Sequence, residues 1–277
     1  MRTSVVCPVR SNDCDILNSI AGMISQQNTP PSEVIFVDDA SQKKLNASQL
    51  GNFSFNVKVI RNETSMGAGR ARQQAMDVAT GDIIFFLDSD DVWKPCHIAT
   101  LVEEHKKYGD RDMRLICSTA LVRSGSRELK KRTLHGVLEY RVSDWLFVKN
   151  GFLQTSGLSI SKGVISKVRW ASLPRHQDYQ FLFDCEKNNV LIAGCLSATY
   201  TYVVSQKRSD AAFSKLFLDR FEGSFSVQSL AAFRQNFILR GFIKERQFCN
   251  AWKHCEGLPD YFFLIKSYVK LKIKGLM

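Results

Sequence analysis

Residues 82–91 read DIIFFLDSDD, a run of five apolar residues that ends abruptly in three carboxylates within four positions. A short continuous apolar run is typical of a strand that is buried on both faces of a parallel sheet. Because unpaired carboxylates are costly to bury, we expect these acids just beyond the strand, at the edge of the sheet. Open α/β sheets bind ligands at that edge, and clustered acidic oxygens suit Mg²⁺ or Mn²⁺ together with a substrate's phosphates. The segment therefore predicts a metal–diphosphate site.

Three strand–helix pairs precede this segment. Strands are predicted for residues 3–9, 33–37 and 56–60, and helices for residues 13–27 and 67–79, with a weaker helix between the second and third strands. The connections are long enough for crossover helices. The pattern therefore predicts an α/β fold with a mixed, mainly parallel sheet that is flanked by helices on both faces.

Acidic pairs end two of these predicted strands. Asp38 and Asp39 follow the second strand, and Asp88 and Asp90 follow the fourth. Either pair alone would more often be a helix N-cap. Because the carboxyl ends of parallel strands meet at one edge of the sheet, the two pairs together predict a binding crevice.

The chain continues to residue 204 with further helices and strands, so we expect residues 1–204 to form one domain. The remaining predicted elements are helices over 95–108 and 179–187, strands over 114–122, 152–161 and 190–204, and a basic irregular stretch over 123–150 that either crosses the site or is a solvated face.

The composition changes after residue 204. Residues 205–277 contain 13 lysines and arginines against six acids, which is a surplus of seven positive charges. In the predicted helix over 261–274, Lys266, Lys270 and Lys274 form one stripe, and apolar side chains cover most of the remaining circumference. This helical C-terminal extension fits a helix that lies on an anionic membrane surface. The alternative is a surface helix packed on the core with a solvated lysine stripe.

Composition limits the classes of partner and location. The 277 residues carry a net charge of +11, which needs an anionic partner. No zinc-finger spacing, RNP-type motif or compact basic arm favours nucleic acid. No apolar stretch is long enough to span a bilayer, and the amino terminus runs into a predicted strand without a signal-peptide core. We therefore expect a cytoplasmic protein, with its eight cysteines as thiols.

Three kinds of site compete for residues 88–92. A calcium-binding EF-hand loop fails because Val92 and Trp93 stand where an oxygen ligand and glycine are needed. A magnesium-dependent phosphohydrolase would use Asp88 as nucleophile and Asp90 as acid/base, but no second acidic pair follows residue 112 to complete its metal site. A D-x-D glycosyltransferase motif agrees with more of the sequence.

The chain resembles family 2 glycosyltransferases of the GT-A fold, such as those of bacterial O-antigen and capsular polysaccharide synthesis. The resemblance is dense over residues 3–108 and thinner to residue 204. The resembling motifs are VCPVR at 6–10, IFVDDAS at 35–41, Gly67-x-x-x-Ala71-Arg72 with Gln73 where the family has Asn, TGDIIFFLDSDDVWKP at 80–95, and HQDY at 176–179 with Gln177 where the family has Glu.

The resemblance implies a nucleotide-binding half over residues 1–108 and an acceptor half over residues 109–204. It also implies a nucleotide-sugar donor, most simply a UDP-sugar, and a site for Mn²⁺ or Mg²⁺. The residues that it assigns to the donor nucleotide are Pro8, Arg10, Asp38, Asp39, Arg72, Asp88, Ser89 and Arg208.

The resemblance also implies particular roles for four acids. Asp39, with Asp38, would accept a hydrogen bond from uracil, and Asp88 would approach the ribose. Asp90 would bind the metal, which stabilises the departing diphosphate.

Asp178 would be the general base that activates the acceptor hydroxyl, so the reaction would invert the anomeric centre. The candidate acceptor-binding residues are Gln154, Thr155, Ser156 and His176. The acceptor would be a glycan or a lipid-diphosphate-linked saccharide at the inner face of the cell membrane. A nucleotide-sugar-binding protein without catalysis is a further alternative, which the acids at 88, 90 and 178 argue against.

Overall fold

The computed structural model describes residues 1–13, 15–47, 50–109, 111–125, 127–130, 133–204 and 209–273. The chain divides into two compact units. The first comprises residues 1–139 and 151–204, and the second comprises residues 140–150 and 205–277. Residues 140–150 thus belong with the C-terminal residues rather than with the residues on either side of them.

The first unit is built on a sheet that has ten strands in the described part of the chain. The spatial order is β3-β2-β1-β4-β9-β6-β10-β5, with β7 paired to β6 and β8 paired to β10. The strands are β1 (Thr3–Val9), β2 (Glu33–Asp39), β3 (Asn56–Asn62), β4 (Ile83–Phe86), β5 (Val92–Trp93), β6 (Arg114–Ser124), β7 (Arg127–Lys130), β8 (Gly136–Val137), β9 (Leu158–Ser161) and β10 (Leu191–Val203).

The sheet is mixed, and its parallel half contains the opening segment. Strands β3, β2, β1 and β4 pair in parallel, whereas β9 is antiparallel to both β4 and β6. All residues of β1, β2 and β4 are buried. The apolar runs of these strands predict that burial, whereas Asp38 and Asp39, which were expected after the second strand, are the last two residues of β2. The helices of this unit are α1 (Ile16–Ser25), α2 (Ala68–Val78), α3 (His97–Lys107) and α4 (Gln177–Lys187). The mixed α/β sheet with flanking helices is therefore confirmed.

The second unit is helical. Its core contains a cluster of phenylalanines. Phe147 packs edge to face on Phe233 with ring centroids 5.0 Å apart, and Phe233 stacks on Phe237 at 4.6 Å. Arg234 and Asp260 add a buried ion pair at 3.0 Å. Its α-helices are α5 (Ala211–Phe221), α6 (Val227–Phe233), α7 (Arg240–Lys244), α8 (Phe248–Lys253) and α9 (Leu258–Ile273), and its π-helical segments are Asp144–Val148 and Arg234–Leu239. Among the described helices, none has the length and hydropathy required to cross a bilayer.

Two buried histidines on α3 make stability sensitive to acid. His97 is fully buried, stacks on the Trp93 ring at 4.2 Å, and places Nδ1 2.7 Å from Thr199 Oγ1. Burial lowers the pKa of His97 to about 3, and burial followed by the charge of Arg114 lowers the pKa of His105 to about 3. In the unfolded chain both imidazoles take up a proton near pH 6.5, the ordinary histidine pKa, whereas in the folded chain they stay neutral down to about pH 3. The free energy of unfolding therefore falls as the pH decreases from about 6.5 towards 3.

We expect each buried histidine to contribute a loss of about 1.4 kcal/mol per pH unit over this interval. Urea unfolding between pH 7 and 4 measures the slope. His97→Asn and His105→Gln should each flatten it, because the replacement side chains do not titrate. His135→Gln is the matched control, since His135 is exposed. Slopes that are equal in the wild type and both buried-site variants would contradict the prediction.

Candidate active site

Three carboxylates gather in the loop that follows β4. Ligand oxygens of Asp88, Asp90 and Asp91 lie within 4.8 Å of one another. Asp90 is exposed, Asp88 is half-buried, and Asp91 is 4% exposed. Carboxylate oxygens this close repel one another, and hard oxygen donors are those that Mg²⁺ and Mn²⁺ prefer. The residues present therefore fit a divalent cation.

Asp91 also belongs to this cluster, although the sequence assigned neither the ribose contact nor the metal contact to it. Burial raises the pKa of Asp91 to about 7, the charges of Asp88 and Asp90 add to the increase, and hydrogen bonds from Ser156 and Val203 oppose it. A cation beside these acids would favour the ionised carboxylate. In the sequence, the only local indication that Asp91 joins the cluster was its position as a third acid directly after the D-x-D pair.

Arg72 lies beside the acid loop and links it to α4. Its guanidinium forms an ion pair with Asp88 and donates a hydrogen bond of 2.8 Å from Nη1 to Gln177 Oε1. It also lies 4.9 Å from the centroid of the Trp170 ring. The predicted donor residues Arg72 and Asp88 are therefore in direct contact, and Arg72 places a buried positive charge beside the acids.

Asp39 organises the loop that leads into α2. Its two carboxylate oxygens accept hydrogen bonds from the backbone of Met66 and Gly67 and from side chains of Asn62 and Ser65, at 2.7–3.0 Å. Burial raises the pKa of Asp39, but these hydrogen bonds outweigh it and the net pKa is lowered. A contact with uracil stays a prediction, which requires the rotatable Ser65 hydroxyl to turn away.

Asp38 holds a different loop. It is fully buried, accepts backbone N–H groups from Ser41 and Leu45 at 2.9 and 3.0 Å, and pairs with Arg61 at 2.6 Å. Burial raises the pKa of Asp38, but the hydrogen bonds and Arg61 outweigh it and lower the net pKa. Its polar partners are thus protein groups, and a direct contact with the nucleoside stays untested.

The ends of β1 and β2 border an open cavity of about 350 Å³. Arg10 lines it together with Ser11, Asn12, Ala40 and Gln42.

The other predicted donor residues lie in or just after β1, in the acid loop, or outside the described residues. Pro8 is buried within β1, and Arg10 is exposed and donates a hydrogen bond of 3.2 Å to Ser65 Oγ. Ser89 is half-buried in the acid loop. Arg208 lies outside the described residues.

Asp178 lies in the first turn of α4 and is half-buried. The chain enters this helix through His176, which has a left-handed backbone conformation (φ 58°) and stacks on Tyr179. Tyr202, on β10, is influenced by the charges of both Asp178 and the acid loop. Burial first, and then the negative charges of Asp91, Asp178, Asp90 and Asp88, raise the pKa of Tyr202 to about 12. All four carboxylates therefore act on one phenol.

The segment predicted to bind the acceptor lies against the acid loop. Gln154 Nε2 is 3.2 Å from carboxylate oxygens of both Asp88 and Asp91, and Ser156 Oγ donates to Asp91 at 2.5 Å. Thr155 is buried between them. Hydrogen bonds of Gln154 and Ser156 therefore go to acids of this chain, a contact that the sequence did not predict.

The sequence of the chain is similar to those of known glycosyltransferases. The model for glycosyl transferase family 2 matches residues 4–169, more than half of the chain. AmsB, an amylovoran biosynthesis glycosyltransferase of Erwinia amylovora, is 29% identical over 193 residues, covering 66% of this chain and 64% of AmsB. WfgD of Escherichia coli, a UDP-Glc:α-D-GlcNAc-diphosphoundecaprenol β-1,3-glucosyltransferase, is 32% identical over 90 residues, covering 32% of this chain and 35% of WfgD. The chain thus spans less than two thirds of the length of these curated relatives.

Solved structures show the same fold. Staphylococcus aureus TarS, residues 1–349 in complex with UDP-GlcNAc, superposes with a TM-score of 0.60 at 19% identity, covering 96% of this chain and 79% of that one. A longer TarS structure gives a TM-score of 0.61 at 18% identity, covering 87% of this chain and 44% of that one. The GT-A fold expected from the sequence is therefore confirmed. Because the family model matches more than half of its length, the chain belongs to glycosyl transferase family 2.

Proposed function

We propose that the chain is an inverting glycosyltransferase that moves a sugar from a UDP-sugar to a hydroxyl of a glycan or lipid-diphosphate-linked saccharide in surface-polysaccharide synthesis. The observation that carries this proposal is a chain of contacts within one unit: Arg72 forms an ion pair with Asp88 of the acid cluster and a hydrogen bond with Gln177, the residue that precedes Asp178. The relatives support the substrate classes, because WfgD is named for a UDP-glucose donor and a diphosphoundecaprenol acceptor and TarS has been solved with UDP-GlcNAc.

The donor half of the proposed site uses residues at the ends of β1, β2 and β4. Pro8 and Arg10 would line the nucleoside pocket, and Asp39 with Asp38 would meet the base. Asp88 and Ser89 would lie beside the ribose, and Asp90 would be the principal metal ligand. Arg208, which the resemblance assigns to the donor, would contact the diphosphate.

A divalent cation at the acid loop would neutralise charge on the diphosphate leaving group. Arg72 would supply a second, fixed positive charge near the same group, because it is buried and already oriented by Gln177. Its ion pair with Asp88 keeps the guanidinium from pointing into solvent before the donor binds.

Asp178 would remove the proton from the acceptor hydroxyl as the oxygen attacks the anomeric carbon. One displacement with one base inverts the anomeric centre, so an α-linked donor yields a β-linked product. The proposed acceptor contacts are Gln154, Thr155, Ser156 and His176. Membership of family 2 leaves the phosphohydrolase alternative without support.

A donor screen tests the proposal. The purified protein is incubated with Mn²⁺ and a panel of UDP-, GDP- and dTDP-sugars, and release of the nucleoside diphosphate is followed for each. We expect slow hydrolysis of one UDP-sugar, accelerated by a saccharide acceptor. Hydrolysis of a GDP-sugar alone would overturn the UDP assignment, and no release from any donor with any acceptor would favour the non-catalytic alternative.

We also propose that the chain acts as a peripheral protein on an anionic membrane surface, through α9. Successive helical residues are 100° apart, so Leu258, Phe262, Ile265 and Val269 share one side of α9. These four side chains are 47–73% exposed. Lys266 and Lys270 are exposed along the border of this apolar side, where they would meet anionic headgroups. Lys274, which the sequence placed in the same stripe, lies outside the described residues.

Removing two apolar side chains of α9 should release the protein from membranes. For Phe262→Ser/Ile265→Ser we expect at least about 100-fold weaker binding to vesicles of phosphatidylcholine with 30% phosphatidylserine, because each insertion is worth about 1.5–3 kcal/mol. Vesicle flotation measures the binding. Val227→Ser is the matched control, since Val227 is 88% exposed at the start of α6. Unchanged flotation of the double variant would remove the membrane proposal and leave the enzymatic one intact.

A further inference from the structure

The turn at residues 154–157 is hydrogen-bonded to both ends of the acid loop. The Asp88 backbone N–H donates to Ser156 Oγ at 3.0 Å, and Ser156 Oγ donates to Asp91 Oδ2 at 2.5 Å. Gln154 Nε2 bridges Asp88 Oδ2 and Asp91 Oδ2 at 3.2 Å each. One serine and one glutamine thus tie the first and the last acid of the loop together.

The turn is itself held rigidly. Gln154 Oε1 accepts the Ser156 backbone N–H at 3.0 Å, and Trp93 Nε1 donates to the Ser156 carbonyl at 2.8 Å. At Gly157 a Cβ would lie 2.5 Å from the Tyr200 ring, so this position has no room for a side chain. Ser156 is fully buried and Gln154 is 9% exposed. The two polar side chains are therefore fixed before any ligand arrives.

The opposite oxygen of Asp91 is fixed as well. Asp91 Oδ1 accepts the Val203 backbone N–H at 3.0 Å, at the end of β10. A carboxylate that is already held from both sides loses little conformational freedom when a ligand binds. Residues that orient the ligands of a metal site raise the affinity for the metal in this way. Without these contacts, repulsion from Asp88 and Asp90 would turn the Asp91 carboxylate away.

We infer that Gln154 and Ser156 are positioning residues that hold the Asp91 carboxylate beside Asp88 and Asp90 as a third oxygen donor for the divalent cation. This inference rests on the proposed cation-dependent transfer. It gives residues 154–156 a role on the donor side of the reaction, in addition to the predicted acceptor contact of Thr155. It also makes Asp91 part of the cation site, together with Asp88 and Asp90.

Mn²⁺ binding to the full chain without donor or acceptor tests the inference. Free Mn²⁺ is measured by electron paramagnetic resonance. We expect Ser156→Ala and Gln154→Met each to raise the Mn²⁺ Kd about 10- to 100-fold, the usual cost of losing a residue that orients a metal ligand. Asp91→Asn, which removes the charge and keeps the shape, should raise it by at least as much. In the transfer assay the apparent KM for Mn²⁺ should rise in the same order.

Ser118→Ala is the matched control for loss of a buried hydroxyl. Ser118 is 2% exposed, and its hydroxyl has no hydrogen-bond partner among the described residues. It should keep the wild-type Kd. Thermal unfolding of each variant separates a loss of Mn²⁺ affinity from a loss of folding, and Gln154→Met provides a second variant if Ser156→Ala is unstable.

The outcomes separate this inference from the proposed function. Wild-type Kd values in Ser156→Ala, Gln154→Met and Asp91→Asn, with weakened binding in Asp90→Ala, would overturn the positioning role alone. No Mn²⁺ binding by the wild type at millimolar concentrations would overturn the metal part of the proposed function and this inference with it.

Discussion

Replacing Asp90 with alanine is expected to lower the rate of sugar transfer by at least about 1,000-fold and to weaken Mn²⁺ binding strongly. Asp90 is the exposed member of the acid cluster, so its carboxylate is the one most accessible to a cation that also contacts the donor diphosphate. A metal contributes several kcal/mol of stabilisation to developing charge, and each 1.36 kcal/mol corresponds to a factor of ten in rate. Transfer kinetics over a range of Mn²⁺ concentrations measure both effects.

Asp82→Ala is the control for this variant. Asp82 precedes the same strand, β4, at its amino end, is exposed, and accepts a hydrogen bond of 2.7 Å from the Arg2 backbone. It should retain transfer within about threefold, because surface changes of this kind usually alter stability by less than about 0.5 kcal/mol. Full metal-dependent transfer by Asp90→Ala would refute the assignment of Asp90 and, with it, the metal-site model.

Asp178→Asn should lower kcat by about 100- to 10,000-fold while the KM for the donor changes little. The amide keeps the shape of the side chain but cannot take a proton, and this range is the usual contribution of general acid–base catalysis. Donor binding should persist because its proposed contacts lie at the ends of β1, β2 and β4. Asp178→Glu retains a carboxylate at a displaced position and should recover part of the lost rate.

Asp184→Asn makes the same chemical change on the same helix, and it should retain the wild-type kcat. Asp184 accepts a hydrogen bond from Gln180, which an asparagine can preserve. A kcat for Asp178→Asn within tenfold of the wild type would contradict the base assignment. A higher KM for the donor with an unchanged kcat would instead assign Asp178 to binding, because such a change reports interactions that are equal in the ground and transition states.

Much of the fold and part of the site could be predicted from the sequence, because the relevant signals are local. The apolar runs of β1, β2 and β4 require burial on both faces, and burial on both faces requires a layered α/β sheet. The acids at the ends of β2 and β4 were expected beyond the strands, because unpaired carboxylates are costly to bury. Asp88 and Asp90 do follow β4, whereas Asp38 and Asp39 are buried as the last two residues of β2, where hydrogen bonds and the Arg61 ion pair of Asp38 satisfy them. The family motifs carried the same information in residue order.

Other features depended on residues that are distant in sequence. Ser156 and Asp91 are 65 positions apart, and Arg72 and Gln177 are 105 positions apart. No periodicity or spacing along the chain relates such pairs. Ser156 meets Asp91 because β9 pairs with β4, and Arg72 meets Gln177 because the start of α4 lies beside α2. The same holds for the exposed apolar side of α9: the sequence identifies an amphipathic helix, and packing decides which side faces solvent.

The sequence by itself thus determined the buried strands, the edge at which the acids collect, and the family. The tertiary structure decided which acid is held by which partner. Asp38 and Asp39 each accept hydrogen bonds from a neighbouring loop, and Asp91 accepts hydrogen bonds from both β10 and the turn at 154–157. The physical reason is that burial of apolar side chains is set by local pattern, whereas the hydrogen bonds of a buried carboxylate are set by whichever donors the packed strands bring within about 3 Å.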